Sequence, residues 1–365
     1  MGSSSESLPV RRHGAMRPCS RGDKRLPRAA AARDRADPSQ PRRRSVTGTP
    51  GGLPVRRPSP RRDLTEDVVR VLVLGATGYI GSVVVERLAA AGHHVAALAR
   101  DDGRARLLPG VGEIRPGDLT VPSSLSAAVT PDVDAVVDVT TPTGSAAIDS
   151  AATASLLEPL RGTGRPFVYT SGIWVLGETG PDPATEDAPP RPIELVRDRP
   201  SIEQMVLGSA DRGIRPVVLR PGIVHGRGGG IPALLVEQAR AHGRGRYVGG
   251  PVHWPMVHVD DLADLYVRAL DRAPAASLFH AVAEEAVPVT ELAVAAARAA
   301  GVESVAEAWS LPDARAGLGS LFADALALDQ ACSGSRARER LGWRPRGVDA
   351  VRDLAEGSYA STRAA

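Results

Sequence analysis

The stretch VLVLGATGYIGSVVVERL, residues 71–88, decides the fold. Its first four residues complete an apolar run that predicts a strand over Val69–Leu74. Ile80, Val83, Val84 and Leu88 then share one helical face, predicting a helix over Ile80–Ala91. Between the two, Gly75, Gly78 and Gly81 stand three residues apart in the turn. Gly75 permits a tight exit from the strand, Gly78 lets main chain approach a pyrophosphate, and Gly81 lets the helix pack closely. The helix N-terminus adds free N–H donors and the positive end of a dipole. The expected phosphate cradle is therefore the segment carrying Gly75, Thr77, Gly78, Tyr79, Ile80 and Gly81, and its expected ligand is a dinucleotide.

Outward from this turn, strands predicted at His94–Leu98, Glu113–Arg115, Ala135–Val139, Phe167–Thr170 and Val217–Leu219 alternate with helices at Ser123–Val129, Ala146–Leu160 and Ser201–Gly208. Such alternation implies right-handed crossovers and a parallel sheet covered on both faces, an α/β Rossmann-type doubly wound fold. Beyond Gly226 the alternation loosens. Helices are expected at Ile231–His242, at Asp261–Leu270 with Asp260 or Asp261 as N-cap, and at Thr290–Ala300 with Thr290 as N-cap. The expected organisation is a disordered basic tail over residues 1–66, a nucleotide-binding domain over 67–226, and a smaller C-terminal substrate lobe over 227–365. Some segments of that lobe return to the first domain.

The second strand ends at Arg100, about 20 residues past the turn, where an acidic side chain would accept from a ribose 2′-OH and a guanidinium would pair with a 2′-phosphate. Arg100, with Arg104, favours NADP over NAD; a strand end shifted by one residue would put Asp101 at the ribose and restore NAD. Asp118 and Leu119 follow the third strand, where the adenine pocket is expected, although Asp118 equally suits the start of the next helix. Thr140 ends the fourth strand and is expected to face the middle of the cofactor.

Composition narrows the function classes. With Cys19 and Cys332 as the only cysteines, a disulfide scaffold and a Cys-built zinc site are out, and a reducing, cytoplasmic setting is expected. Apolar runs such as Val95–Ala99 fall far short of the ~18 residues of a membrane helix, so no membrane partner is expected. Residues 1–62 hold 16 basic against 4 acidic groups, which leaves 29 against 38 and a net of −9 for the rest. The overall basicity thus belongs to the tail, and nucleic acid is not the expected partner of the folded part. Lys24 is the only lysine, which removes Schiff-base chemistry and Walker-type phosphate loops from the folded part.

GATGYIG (Gly75–Gly81), GDL (Gly117–Leu119), YTSGIWVLG (Tyr169–Gly177), LRPGIVHG (Leu219–Gly226), VHVDDLADLYVRAL (Val257–Leu270) and LGWRP (Leu341–Pro345) together resemble the extended short-chain dehydrogenase/reductase superfamily, in its NAD-dependent epimerase/dehydratase branch. The resemblance implies a nicotinamide cofactor, hydride transfer with a small-molecule substrate, and a homodimer formed through helix packing. The family's catalytic set is a Ser/Thr after the fifth strand and a Tyr-x-x-x-Lys pair on the next helix. Here Leu195 falls where the tyrosine belongs, Arg199 where the lysine belongs, and Gly172 at the usual serine, with Thr170 and Ser171 just before it. The expected catalytic residues are therefore Ser171 or Thr170 polarising a carbonyl, with Arg199 holding cofactor or substrate; Arg199 cannot shuttle a proton.

A phenol could come from Tyr169 or Tyr247, and His225, His253 and His258 lie in segments expected near the cleft, His258 rather as a structural hydrogen-bonding group. Trp174 and Trp254 are expected as pocket walls. Two other readings follow from the missing pair: a non-catalytic NADP-binding sensor, and a sugar-nucleotide epimerase or dehydratase.

Overall fold

The computed structural model describes residues 68–100, 103, 108–180 and 182–360; the expected basic tail, Cys19, Asp101 and Arg104 lie outside these. In the first half of the described chain, β1 (Arg70–Leu74), α1 (Tyr79–Ala90), β2 (His94–Ala99), β3 (Val111–Pro116), α2 (Pro122–Ala128), β4 (Ala135–Asp138), α3 (Ala146–Leu157), β5 (Pro166–Thr170), α4 (Arg199–Gly208) and β6 (Arg215–Pro221) alternate as their apolar periodicity dictates. β7 (Ile223–His225), α5 (Gly230–His242), β8 (Arg244–Val248), β9 (His253–His258), α6 (Val259–Arg272), β10 (Ser277–Ala281), β11 (Glu284–Pro288), α7 (Val289–Ala300) and β12 (Glu303–Trp309) follow. Four short helices close the described chain: α8 (Leu311–Leu318), α9 (Ser320–Leu326), α10 (Ser335–Leu341) and α11 (Ala350–Glu356).

Seven strands build one parallel sheet in the order β10-β6-β5-β4-β1-β2-β3. The order reverses between β1 and β4, so the ligand crevice of a doubly wound sheet lies beyond their carboxyl ends. Both faces of the central strands are covered, which is why β1, β4 and β5 read as near-continuous apolar runs. On one face Val71, Val73, Val84 and Leu88 meet Leu262, Leu265 and Tyr266 of α6; on the other Leu72, Leu74 and Phe167 meet Leu125, Leu156 and Ile202. Burying each such side chain is worth roughly 1.5–3 kcal/mol.

The seventh strand, β10, was absent from the sequence reading; α6 crosses over α1 and delivers it parallel to β6. β7, β9 and β11 form a small sheet, β8 pairs with β12, and these elements share a separate apolar core with α5, α7, α9 and α11 through Leu235, Met256, Leu292, Leu326 and Leu354. Trp254, expected at a pocket wall, is buried in this core and donates its indole N–H to the Leu326 carbonyl at 3.2 Å.

Helix starts also differ from expectation. The N-cap of α6 is His258, whose Nδ1 accepts from the Asp260 N–H at 3.2 Å, while the Asp261 carboxylate accepts from the N–H groups of Arg346 and Gly347. α7 begins at Val289 with Pro288 as its cap, not Thr290, and α4 starts at Arg199, two residues earlier than predicted. Among the described residues no helix is long and apolar enough to cross a membrane.

Candidate functional site

The glycine turn closes as its spacing predicts. Gly75 has φ +74°, and a Cβ there would stand 2.8 Å from the Val139 carbonyl oxygen at the end of β4. A Cβ on Gly81 would overlap the Gly75 carbonyl, so it is against the turn, and not only the sheet, that the bare glycine lets α1 close. Gly78 donates to the Gly75 carbonyl at 2.9 Å and caps α1 with no side chain, and the first turn of that helix carries no acidic residue. Thr77 and Gly78 are exposed, and Ile80 is half-buried. The head of α1 thus offers main-chain N–H groups with no acidic side chain in its first turn, a donor set whose charge suits a diphosphate.

The Tyr79 side chain is used elsewhere. Its hydroxyl donates to the Gly226 carbonyl at 2.8 Å, its ring occupies the space that a Cβ on Gly229 would need, and burial pushes its pKa up. Only its main chain is left for a ligand.

Two cavities flank the turn's neighbourhood. One, of about 640 Å³, lies at the ends of β2 and β3 and is walled by Arg100, Arg115, Gly117 and Asp118 among others. Asp118 accepts from the Thr120 N–H and hydroxyl, both at 2.8 Å, and these bonds with the Arg100 charge hold its carboxyl below the usual range. Arg100 itself is exposed. The other cavity, of about 230 Å³, is walled by Leu119, Asp138, Thr140, Tyr169, Leu195 and Arg199 among others. The structure therefore groups Arg100 with Asp118, and Leu119 with Thr140 and Arg199.

Thr170 and Ser171 end β5 in different states. The Thr170 hydroxyl donates to the Asp138 carbonyl at 2.6 Å, so the Tyr266 hydroxyl at 2.5 Å must be the donor to it; both its roles are taken. Ser171 binds the Leu219 carbonyl through its N–H at 2.7 Å, yet its hydroxyl is buried, at 6% residue exposure, with no hydrogen-bond partner. Arg199 donates Nη1 to the Thr170 carbonyl at 2.8 Å, and its Nε is likewise buried and unpartnered. Tyr169 lies between Asp138 and Arg199 with burial raising its pKa, so it stays a neutral phenol.

Sequence reasoning missed Asp138. It stands at the end of the buried run AVVD, its carboxylate Oδ1 accepts from the Thr140 N–H at 3.0 Å and hydroxyl at 2.6 Å, and burial raises its carboxyl pKa. The signal was present, since an acidic residue closing an apolar strand must be paired or functional. Also missed was a brace for which no local signal exists. The Gly226 N–H donates to the Tyr359 hydroxyl at 2.7 Å, which donates to the Gly229 carbonyl at 2.6 Å, and the Gly228 N–H reaches Ser358.

His225 lies behind that brace, with Nδ1 3.1 Å from Asp353 and its ring edge-on to His258. Donor atoms of His225, His258 and Asp353 lie within 4.8 Å of one another. His258 works as a helix cap, and burial holds its pKa down. His253 is tied to Asp329 at 3.0 Å.

Comparison with known proteins is consistent with this geometry. The model of the NAD-dependent epimerase/dehydratase family matches residues 71–280. An uncharacterized protein of Schizosaccharomyces pombe is 32% identical over 304 residues, covering 80% of this chain and all of its own length. A 3-diazoavenalumate denitrifying reductase of Streptomyces is 31% identical over 308 residues, covering 76% of this chain and 96% of that protein. The crystal structure of human epimerase family protein SDR39U1 with NADPH superposes with a TM-score of 0.65 at 22% identity, over 80% of this chain and 99% of that one, and shows the shared fold. The chain belongs to the NAD-dependent epimerase/dehydratase family.

Proposed function

We propose that this member of the NAD-dependent epimerase/dehydratase family is an NADP-preferring oxidoreductase that interconverts a carbonyl and an alcohol on a small molecule in the cytoplasm. The observation that carries the reading is the unpartnered Ser171 hydroxyl, buried at the carboxyl end of β5 in a fold whose first turn is built to cradle a diphosphate. When bound, the nicotinamide supplies or accepts hydride. The chain's own residues do the rest. Ser171 donates to the carbonyl oxygen, where charge develops, and Arg199, anchored on the Thr170 carbonyl, contributes a fixed positive charge. Thr170, spent on Asp138 and Tyr266, holds the strand ends rather than the substrate. The preference for NADP rests on Arg100 in the wall of the larger cavity. Support for reductase chemistry comes from the Streptomyces relative, which is named for it.

A second reading, a nucleotide-occupancy sensor without turnover, is favoured by one observation: Leu195, not a tyrosine, lines the cavity beside Arg199. Equilibrium titration with NADPH and NADH, followed by NADPH oxidation over aldehydes, ketones and sugar nucleotides, separates the two. Binding with turnover supports the oxidoreductase. Binding without turnover on the whole panel supports the sensor, and no binding of either nucleotide overturns both.

A further inference from the structure

The cavity walled by Tyr169, Leu195 and Arg199 has no tyrosine–lysine pair, so a reaction there needs another proton source. Arg199 cannot provide one, and burial pushes the Tyr169 pKa up, so its phenol releases a proton less readily than a free tyrosine. Of the carboxylic acids in the cavity wall, Asp138, Asp149, Glu194 and Asp198, only Asp138 is buried. It is 5% exposed, it forms part of the cavity wall, and its Oδ1 lies 2.6 Å from Thr140 Oγ1. Thr140 is half-buried and lines the same cavity, so its hydroxyl has the carboxyl behind it and open space beside it. A hydroxyl backed by a buried carboxyl is a two-member path for a proton from interior to cavity.

We propose that Asp138 and Thr140 form the proton relay of this site, in place of the phenol and ammonium of its relatives. The proposal rests on the oxidoreductase reading above. In the reducing direction the carbonyl carbon accepts hydride from a dihydronicotinamide, which is oxidised. With Asp138 protonated on Oδ1, the Thr140 hydroxyl turns from that oxygen to the carbonyl oxygen and gives it its proton. Thr140 Oγ takes the Oδ1 proton across the same 2.6 Å contact, and Asp138 is left as a carboxylate that again accepts from Thr140. Solvent entering the cavity returns the proton after release, and the alcohol-oxidising direction runs the same transfers backwards.

The surroundings suit a carboxyl that must both hold and lose a proton. Burial favours the acid; the hydroxyl and N–H of Thr140 and the charge of Arg199 on α4 favour the carboxylate; Asp149 on α3 favours the acid; and Tyr169 on β5 and Tyr266 on α6 face it as neutral phenols. The net effect raises the carboxyl above its ordinary range, in the direction an acid catalyst needs.

The test uses the full-length chain, with Asp138→Asn, Thr140→Val and Thr140→Ser, and checks each variant for folding by NADPH titration. Infrared spectra of the nucleotide-free chain are recorded across the neutral pH range. A protonated-carboxyl stretch present in the wild type, absent from Asp138→Asn and displaced in Thr140→Val, is expected, with Thr140→Ser restoring the wild-type position. With benzaldehyde and NADPH, kcat is expected to fall about 100-fold in Asp138→Asn and in Thr140→Val, with loss of the wild-type pH dependence and with Thr140→Ser near wild type. Wild-type and Asp138→Asn spectra that superimpose overturn the relay, and so does an Asp138→Asn enzyme with wild-type kcat and pH profile. A wild type that binds no nucleotide refutes the oxidoreductase reading instead, and the infrared comparison still decides whether Asp138 carries a proton.

Discussion

At the residue scale, two hydroxyls adjacent in sequence have opposite fates, and a pair of substitutions displays it. Ser171→Ala removes a buried hydroxyl that bonds to nothing in the protein, so stability is expected to be unchanged or higher by about 1 kcal/mol. Its kcat is expected to drop roughly 100- to 1,000-fold with NADPH affinity unchanged, as for loss of one oxyanion donor. Steady-state kinetics and thermal melting read the two effects separately. Thr170→Val strands the Tyr266 hydroxyl in the core and is expected to cost about 1–3 kcal/mol of stability.

His280 makes a second test. Its ring is fully buried, and burial with the Arg220 charge pushes its pKa down to about 3. The folded chain keeps this ring neutral while the unfolded chain protonates it below about 6.5. Stability is therefore complete above that pH and falls as pH drops toward 3, by roughly 1.4 kcal/mol per unit at most. Denaturant titrations at pH 7 and pH 5 should show this loss in the wild type and a smaller one in His280→Leu. Gly78 and Gly81 were legible at this scale because both pack on Gly75, three and six residues away, whereas the room Gly75 leaves is for Val139, far along the chain. The commitment of Thr170 was not, because its partners Asp138 and Tyr266 lie 32 and 96 positions away.

At the scale of elements, α4 is fastened to β6 by a buried fork in which Arg220 donates Nε and Nη2 to Glu203 at 2.9 and 2.5 Å. Glu203→Ala leaves an uncompensated guanidinium inside the protein and is expected to cost about 3–5 kcal/mol, seen as a lowered denaturation midpoint. Since α4 also carries Arg199, nucleotide binding should weaken along with it. Strand and helix alternation was readable because parallel strands buried on both faces have unbroken apolar runs. The caps were misread because they depend on tertiary partners. Asp261 looks like a cap in sequence, yet its carboxylate is claimed by Arg346 and Gly347, and a histidine takes the capping position. β10 was invisible since SLFHA shows no alternation of its own and is defined by β6 beside it.

At the scale of the whole molecule, a nucleotide that binds only the folded chain stabilises it by about 2.7 kcal/mol at a hundredfold excess over Kd. A higher melting temperature with NADPH than with NADH is expected, and Arg100→Ala should bring the two values together; differential scanning fluorimetry measures both. The charge asymmetry predicts that the full-length chain is retained on heparin and that a chain lacking residues 1–62, with its net charge of −9, elutes early while keeping its nucleotide affinity.

The brace of Ser358 and Tyr359 on the Gly226–Gly230 turn, against which Tyr79 rests, has a consequence for biosynthesis. The nucleotide loop leaves the ribosome early, but the hydrogen bonds that back it come from residues translated after every strand and helix of the structure. Until those arrive, the nascent protein holds its ligand loop without its support, and nonsense or frameshift alleles that spare all seven sheet strands should still yield polypeptides that retain nucleotide poorly.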